Sequence, residues 1–140
     1  MFRLDSEGDY RAFWQSQDPK NFITQALCSE TGKDMRVYVL GGKLLAAVLR
    51  SSDNDFRSNF SLGGDVQAVA VPRSIRRMVK RLAKKVRLEF VGVDFIRHEG
   101  KWILNEIEDV VGSRMLYKTT GIDVARVYLA QIAKTVGKRF

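Results

Sequence analysis

Three carboxylates in the last third of the chain, Asp94, Glu106 and Glu108, have the spacing to meet at one place. Phe90 to His98 and Trp102 to Glu108 are rich in β-branched and aromatic residues and flank Gly100, so they are expected to fold back as two paired strands. Residues two apart share a strand face, and pairing sets opposite residues side by side. With an odd-length loop such as Glu99-Gly100-Lys101, Asp94 lies opposite Glu106, Ile96 opposite Leu104, and Glu108 follows on the same face. An even-length loop turns Glu106 to the other face.

Like charges opposed on a sheet are destabilising, so this trio calls for a cation. Carboxylate oxygens suit magnesium that bridges to phosphate oxygens, an ion that takes few protein ligands. Arginine partners or plain exposure to water satisfy the same acids, and spacing alone leaves these readings open.

The elements that must position the acids follow from periodicity and turn signals. Tyr10, Phe13, Trp14 and Gln17 fall on one face of a short helix. Phe22 to Leu27 reads as a strand, Ser29 to Gly32 as a loop, and Asp34 to Leu40 as a second strand that turns at Gly41-Gly42 into a third, Lys43 to Leu49. After a polar loop from Ser51 to Phe56 and a turn at Gly63-Gly64, Val66 to Val71 is expected as a strand ended by Pro72. Ile75, Met78, Val79, Leu82, Ala83 and Val86 then recur at helical spacing opposite Arg73, Arg76, Arg77, Lys80, Arg81, Lys84 and Lys85. A last helix is expected from about Gly121 to Val136. The class is α+β, a largely antiparallel sheet with flanking helices.

A chain of 140 residues suits one compact domain with its own core. No apolar run approaches the roughly 20 residues of a membrane helix, and the start does not resemble a signal peptide, so a cytoplasmic protein with no membrane partner is expected. Cys28 is the single cysteine and His98 the single histidine; a buried thiol and a surface imidazole near a turn are the expectations, and Trp14 and Trp102 are expected to pack rather than stack on a ligand. A net charge of +8 attracts anions: nucleotides, nucleic acids or acidic proteins.

A wider pattern is carried by Asp34-Met35-Arg36, Gly41-Gly42, Ala46-Ala47, Arg50, Asp55-Phe56-Arg57-Ser58-Asn59, Gly63-Gly64, Gly92-Val93-Asp94, Asn105-Glu106 and Thr119-Thr120-Gly121-Ile122-Asp123-Val124-Ala125. In this order and spacing it resembles the C-terminal half of an ATP-grasp carboxylate-amine ligase of the ribosomal-protein glutamate ligase (RimK-like) type, from about Phe22 to the end. The resemblance implies a remnant of the central subdomain over residues 1–21 and the C-terminal subdomain over 22–140. It implies ATP and magnesium as cofactors, and amide or peptide bond formation through an acyl phosphate between unidentified carboxylate and amine substrates.

Carried over by position, Asp94 and Glu106 become magnesium ligands, and Glu108 stands where the family usually has asparagine. Arg36, Arg50 and Arg57 match basic positions near the phosphates and acyl phosphate, with Arg50 and Arg57 in the catalytic role and Arg36 in cofactor binding; guanidinium groups hold two oxygens at once. Asn59 orients substrate, and Gln25, Ala26 and Leu27 match the connector that contacts adenine, largely through backbone groups. The family's glycine-rich loop and two ATP-binding lysines have no counterpart in these residues. An upstream segment or a partner chain is therefore expected to complete the cleft, and an exposed sheet edge allows self-association.

The rival reading takes the basic helix from Arg73 to Arg87 as a binding module for nucleic acid or acidic protein on a fold that has lost catalysis. Its stripe has no acid at four-residue spacing to balance it. A solvated face explains the stripe as well, and no zinc pattern, aromatic RNA-binding signature or helix-turn-helix accompanies it, which disfavours nucleic acid.

Overall fold

The computed structural model describes residues 2–52 and 65–137. Its core is one five-stranded antiparallel sheet in the order β3-β2-β1-β4-β5, built from β1 Glu30–Leu40, β2 Lys43–Ser51, β3 Asp65–Ala68, β4 Phe90–His98 and β5 Lys101–Glu108. The helices are α1 Glu7–Ser16, α2 Arg73–Leu82, α3 Arg114–Thr120 and α4 Val124–Val136.

Two hairpins meet at the middle of the sheet. Gly41 and Gly42, at φ 56° and 73°, close β1 onto β2, the left-handed pair that a two-residue turn requires. Glu99 and Gly100, at φ 49° and 73°, do the same for β4 and β5. β1 and β4 then pair across the centre, with Val37 opposite Val93 and Arg36 opposite Asp94.

Alternation along these strands divides the core. Met35, Val37, Val39, Val91, Val93 and Phe95 face one side, where Ile75 and Val79 of α2 cover them. Tyr38 and Val48 face the other side and are covered by Val111, Met115, Leu116 and Val124 around α3 and α4. Burying a side chain of this size contributes about 1.5–3 kcal/mol, so each layer is held by its own set of apolar residues.

Several expectations are corrected. Phe22 to Leu27 forms no strand: it runs exposed past the sheet, with Ile23 at 88% exposure. None of its residues is paired in the sheet, and strand propensity without a paired neighbour does not make a strand. Ser29 to Gly32 is not a loop throughout, because β1 begins at Glu30. β3 stops at Ala68, short of Val71, and α2 stops at Leu82, short of Arg87. The last helix begins after Asp123, whose side chain accepts from the Arg126 N–H as an N-cap, and a separate α3 precedes it, ended by Gly121 at φ 64°. Gln17 lies just past the end of α1 in extended backbone.

The hairpin register is the most consequential correction. The β4–β5 loop has two residues, not three, so Ile96 lies opposite Ile103 rather than Leu104. The register then shifts between Phe95 and Asp94, leaving Asn105 as the extra residue of a β-bulge, and Asp94 regains Glu106 as its partner. Without the bulge, the even loop would have turned Glu106 away from Asp94.

Around the sheet, α1 carries an aromatic cluster in which Phe13 meets Phe2 at 5.2 Å and Phe22 at 5.0 Å between ring centroids. Trp14 joins it, as packing predicted, and its buried Nε1–H has no hydrogen-bond acceptor. Trp102 packs against the core with the Arg97 guanidinium 5.2 Å above its ring. His98 is a surface residue whose Nδ1 accepts from the Ser29 N–H.

Candidate active site

The charged residues gather on the α3 side of the sheet. Cross-strand pairing sets Arg36 opposite Asp94 and Asp34 opposite Arg50, all facing the same way. Arg36 donates from Nε to Asp94 Oδ1 at 2.8 Å and from Nη2 to Oδ2 at 2.7 Å. Arg50 donates to the same Asp94 Oδ2 at 2.6 Å and to Asp34 Oδ2 at 2.8 Å. Arg36 also contacts Glu108. Asp94 is 2% exposed and both arginines 7%, so the network is a buried one.

Burial by itself would lower the pKa of each guanidinium, but the carboxylates reverse that. The hydrogen bond and charge of Asp94, with Glu108, hold Arg36 above its ordinary value, and Asp34 with Asp94 does the same for Arg50. Both guanidinium groups are thereby held in their cationic form.

Gly92 makes room for this arrangement. A Cβ there would lie 2.8 Å from Val111 Cγ2 and 3.2 Å from Arg36 Cδ, so the arginine crosses the strand where a side chain is missing. Beside it, Tyr38 is buried and donates from Oη to the Gly112 carbonyl at 3.1 Å, fastening the loop before α3 to the sheet.

The network forms the floor of a cavity of about 1000 Å³. Gln25, Ala26, Leu27, Arg36, Arg50, Asp94, Glu106 and Glu108 all line it, and the aromatic residues Phe2, Tyr10, Phe13 and Phe22 supply part of another wall. Eight of the residues singled out in the sequence thus converge on one space. Arg57 and Asn59 lie outside the described residues.

Asp34, Asn105, Tyr38 and Gly92 take part without having been assigned a role. Asp34 and Arg36 are two apart on one strand, and that alternation was the available signal for Asp34. Nothing in the sequence marks Asn105 as a bulge.

Whether the three carboxylates suit a metal ion depends on how they are engaged. Glu106 is exposed and lines the cavity, so its oxygens are accessible to a cation, whereas Glu108 Oε2 is buried against the Arg36 guanidinium. Asp94 has given both oxygens to arginine. Among the described residues no three acidic, histidine or cysteine side chains stand close enough together to hold a metal ion.

The chain matches the RimK-like ATP-grasp domain over residues 16–132 and belongs to that family. It is 34% identical over 119 residues to a probable alpha-L-glutamate ligase of Parasynechococcus marenigrum (strain WH8102), covering 84% of this chain and 26% of the relative. A probable alpha-L-glutamate ligase of Maridesulfovibrio salexigens is 36% identical over 116 residues, covering 81% and 38%. The chain therefore spans about a quarter to two fifths of the length of these relatives. Among solved structures, the ATP-grasp ligase PsnB complexed with a phosphomimetic variant of its minimal precursor, Mg and ADP superposes with a TM-score of 0.57 at 22% identity, over 75% of this chain and 33% of that one. The macrocyclase MdnB of Microcystis aeruginosa MRC gives 0.53 at 19% identity, over 75% and 30%. At these identities the likeness is one of fold. No helix among the described residues is long and apolar enough to cross a membrane.

Proposed function

We propose that this chain forms the ATP- and magnesium-handling wall of a ligase that joins a carboxylate to an amine through an acyl phosphate, with the rest of the cleft supplied by further residues or a partner chain. The observation that carries this reading is the convergence of Gln25 to Leu27, Arg36, Arg50, Asp94, Glu106 and Glu108 on one cavity. Family membership supports it, as do the names of the relatives and the ADP and Mg bound to the PsnB neighbour.

In this reading a substrate carboxylate oxygen attacks the γ-phosphorus of ATP and ADP leaves. The amine then attacks the acyl carbon, and phosphate departs with the bonding electrons of the C–O bond. Positioning and neutralisation of charge around the phosphoryl group supply most of the acceleration. Arg36 and Arg50 are the groups assigned to that task, since both line the cavity and both are held cationic among their carboxylate partners. Arg57 is assigned to the acyl phosphate, Asn59 to substrate orientation, and the backbone of Gln25 to Leu27 to adenine.

Magnesium, when bound, offsets the charge on the phosphate oxygens. Glu106, Glu108 and Asp94 are the residues that would hold it, of which Asp94 and Glu108 are engaged by arginine in this structure.

Calorimetric titration with magnesium and a non-hydrolysable ATP analogue tests this reading, run beside Glu106→Gln at moderate salt. Saturable binding that needs magnesium and is lost in the variant is the expected result. Equal signals from both proteins, or none from either, would overturn the metal assignment for this chain.

A further inference from the structure

The positive charge of this protein is concentrated in one place. Between Asp65 and Glu89 there is no acidic residue and there are eight basic ones; the other 16 lysines and arginines equal the 16 acids in number, so this stretch accounts for the whole net charge of +8. Within it α2 presents Arg73, Arg76, Arg77, Lys80 and Arg81 to solvent, continued by Lys84 and Lys85. Among the described residues the one ion pair in the stretch joins Arg87 to Glu89.

This face is remote from the cavity. Ile75 and Val79 seat α2 on the side of the sheet that carries Val37, Val93 and Phe95, whereas Arg36 and Asp94 project from the opposite side. The stripe therefore does not serve the nucleotide site directly.

The structure narrows what the stripe fits. A bilayer needs an apolar helix face to enter it, and the apolar face of α2 is already buried in the core. A protein interface is built on buried aromatic and apolar anchors, and the outward face of α2 has none. Single strands are held by stacking on aromatic rings, which are also missing from this face. A rigid row of cations, mostly arginine, matches a regular row of phosphates. We infer that α2 and the residues after it bind the phosphodiester backbone of double-stranded nucleic acid without reading its sequence. The motifs whose absence disfavours nucleic acid in the sequence are those that read bases or single strands; backbone contacts need none of them, since they carry affinity but no sequence information.

The test is fluorescence anisotropy of the full chain with labelled mixed-sequence duplexes, over a series of salt concentrations. The variant Arg77→Gln/Lys80→Gln/Arg81→Gln is compared with Lys20→Gln/Lys101→Gln/Lys134→Gln, which removes the same charge from exposed positions elsewhere. Since all six side chains are exposed, thermal melts are expected to match the parent protein. The α2 variant should lose at least tenfold in affinity at low salt, with a log–log salt slope shallower by roughly 2.7, about 0.9 for each lost phosphate contact on DNA. The control triple and Glu106→Gln should bind as the parent does. Equal losses in both triples would overturn the inference in favour of a net-charge effect, as would tighter binding to a glutamate-rich peptide than to duplex, or no saturable binding at all. Because Glu106→Gln separates the two surfaces, failure here leaves the ligase reading standing.

Discussion

Arg36 grips both oxygens of Asp94 across the β1–β4 junction, through Nε at 2.8 Å and Nη2 at 2.7 Å, with both side chains buried. Removing one partner of such a pair strands the other charge in a poorly solvated place. Asp94→Asn should therefore cost about 3 kcal/mol in denaturant unfolding, the lower part of the usual range because Asp34 and Glu108 still face the two arginines. A midpoint within error of the parent would mean that the network contributes nothing to the folded state.

Gly92→Ala should reach the same network from the backbone. The added Cβ meets Val111 closer than packed atoms tolerate and sits tightly against Arg36, so the loop before α3 has to move or the arginine to give slightly. A loss of about 1–3 kcal/mol is expected. Differential scanning calorimetry checks it; a neutral result would show that the loop yields freely.

Tyr38 predicts an alkaline limit. Burial raises its hydroxyl above the ordinary value near 10, against the opposing pull of Arg36 and Arg50. The folded chain thus holds this proton more tightly than the unfolded chain does. The stability linked to it is complete below about pH 10 and is lost as pH climbs toward the folded value. Tyr38→Phe should lose about 1 kcal/mol at neutral pH with its hydrogen bond to Gly112, yet fall less steeply above pH 10, by about 1.4 kcal/mol per pH unit. Parallel melting curves for the two proteins from neutral to alkaline pH would contradict this.

Glu106→Gln should separate binding from stability. Glu106 is exposed, so its removal is expected to change unfolding by no more than about 0.5 kcal/mol. The same variant is expected to abolish magnesium-dependent nucleotide binding. Substantial unfolding of Glu106→Gln would assign the residue to the scaffold instead.

The parts of the fold that could be read from the sequence are those where composition and pairing agree. Phe90 to His98 is a strand with the expected ends, and Gly41-Gly42 is a hairpin turn, because β-branched runs and paired glycines each specify a backbone geometry. The facing of Asp94 and Glu106 was tied in the sequence to an odd-length loop; the loop is even, and the bulge at Asn105 restores the facing. Bulges depend on how two strands twist together, and Leu104-Asn105-Glu106 carries no local mark of one. Phe22 to Leu27 looks like a strand by type and is not one, since a strand is defined by its neighbour. The candidate site was legible as a set of residues through the family resemblance. Its internal wiring was not, because which arginine takes which carboxylate depends on distances that spacing does not give.

The two hairpins of the sheet each close through a two-residue turn, whereas β1 and β4 are brought together across a long intervening stretch of chain. Local hairpins form in microseconds, and a pairing between distant segments has to overcome a larger loop-closure entropy before it is rewarded. The guanidinium of Arg36 comes from one hairpin and the carboxylate of Asp94 from the other, so the site is expected to form only when the two hairpins join. Amides on β1 and β4 should accordingly exchange with solvent only when the whole domain opens, and a chain that has lost the joint between its hairpins retains local turns with nothing to bind between them.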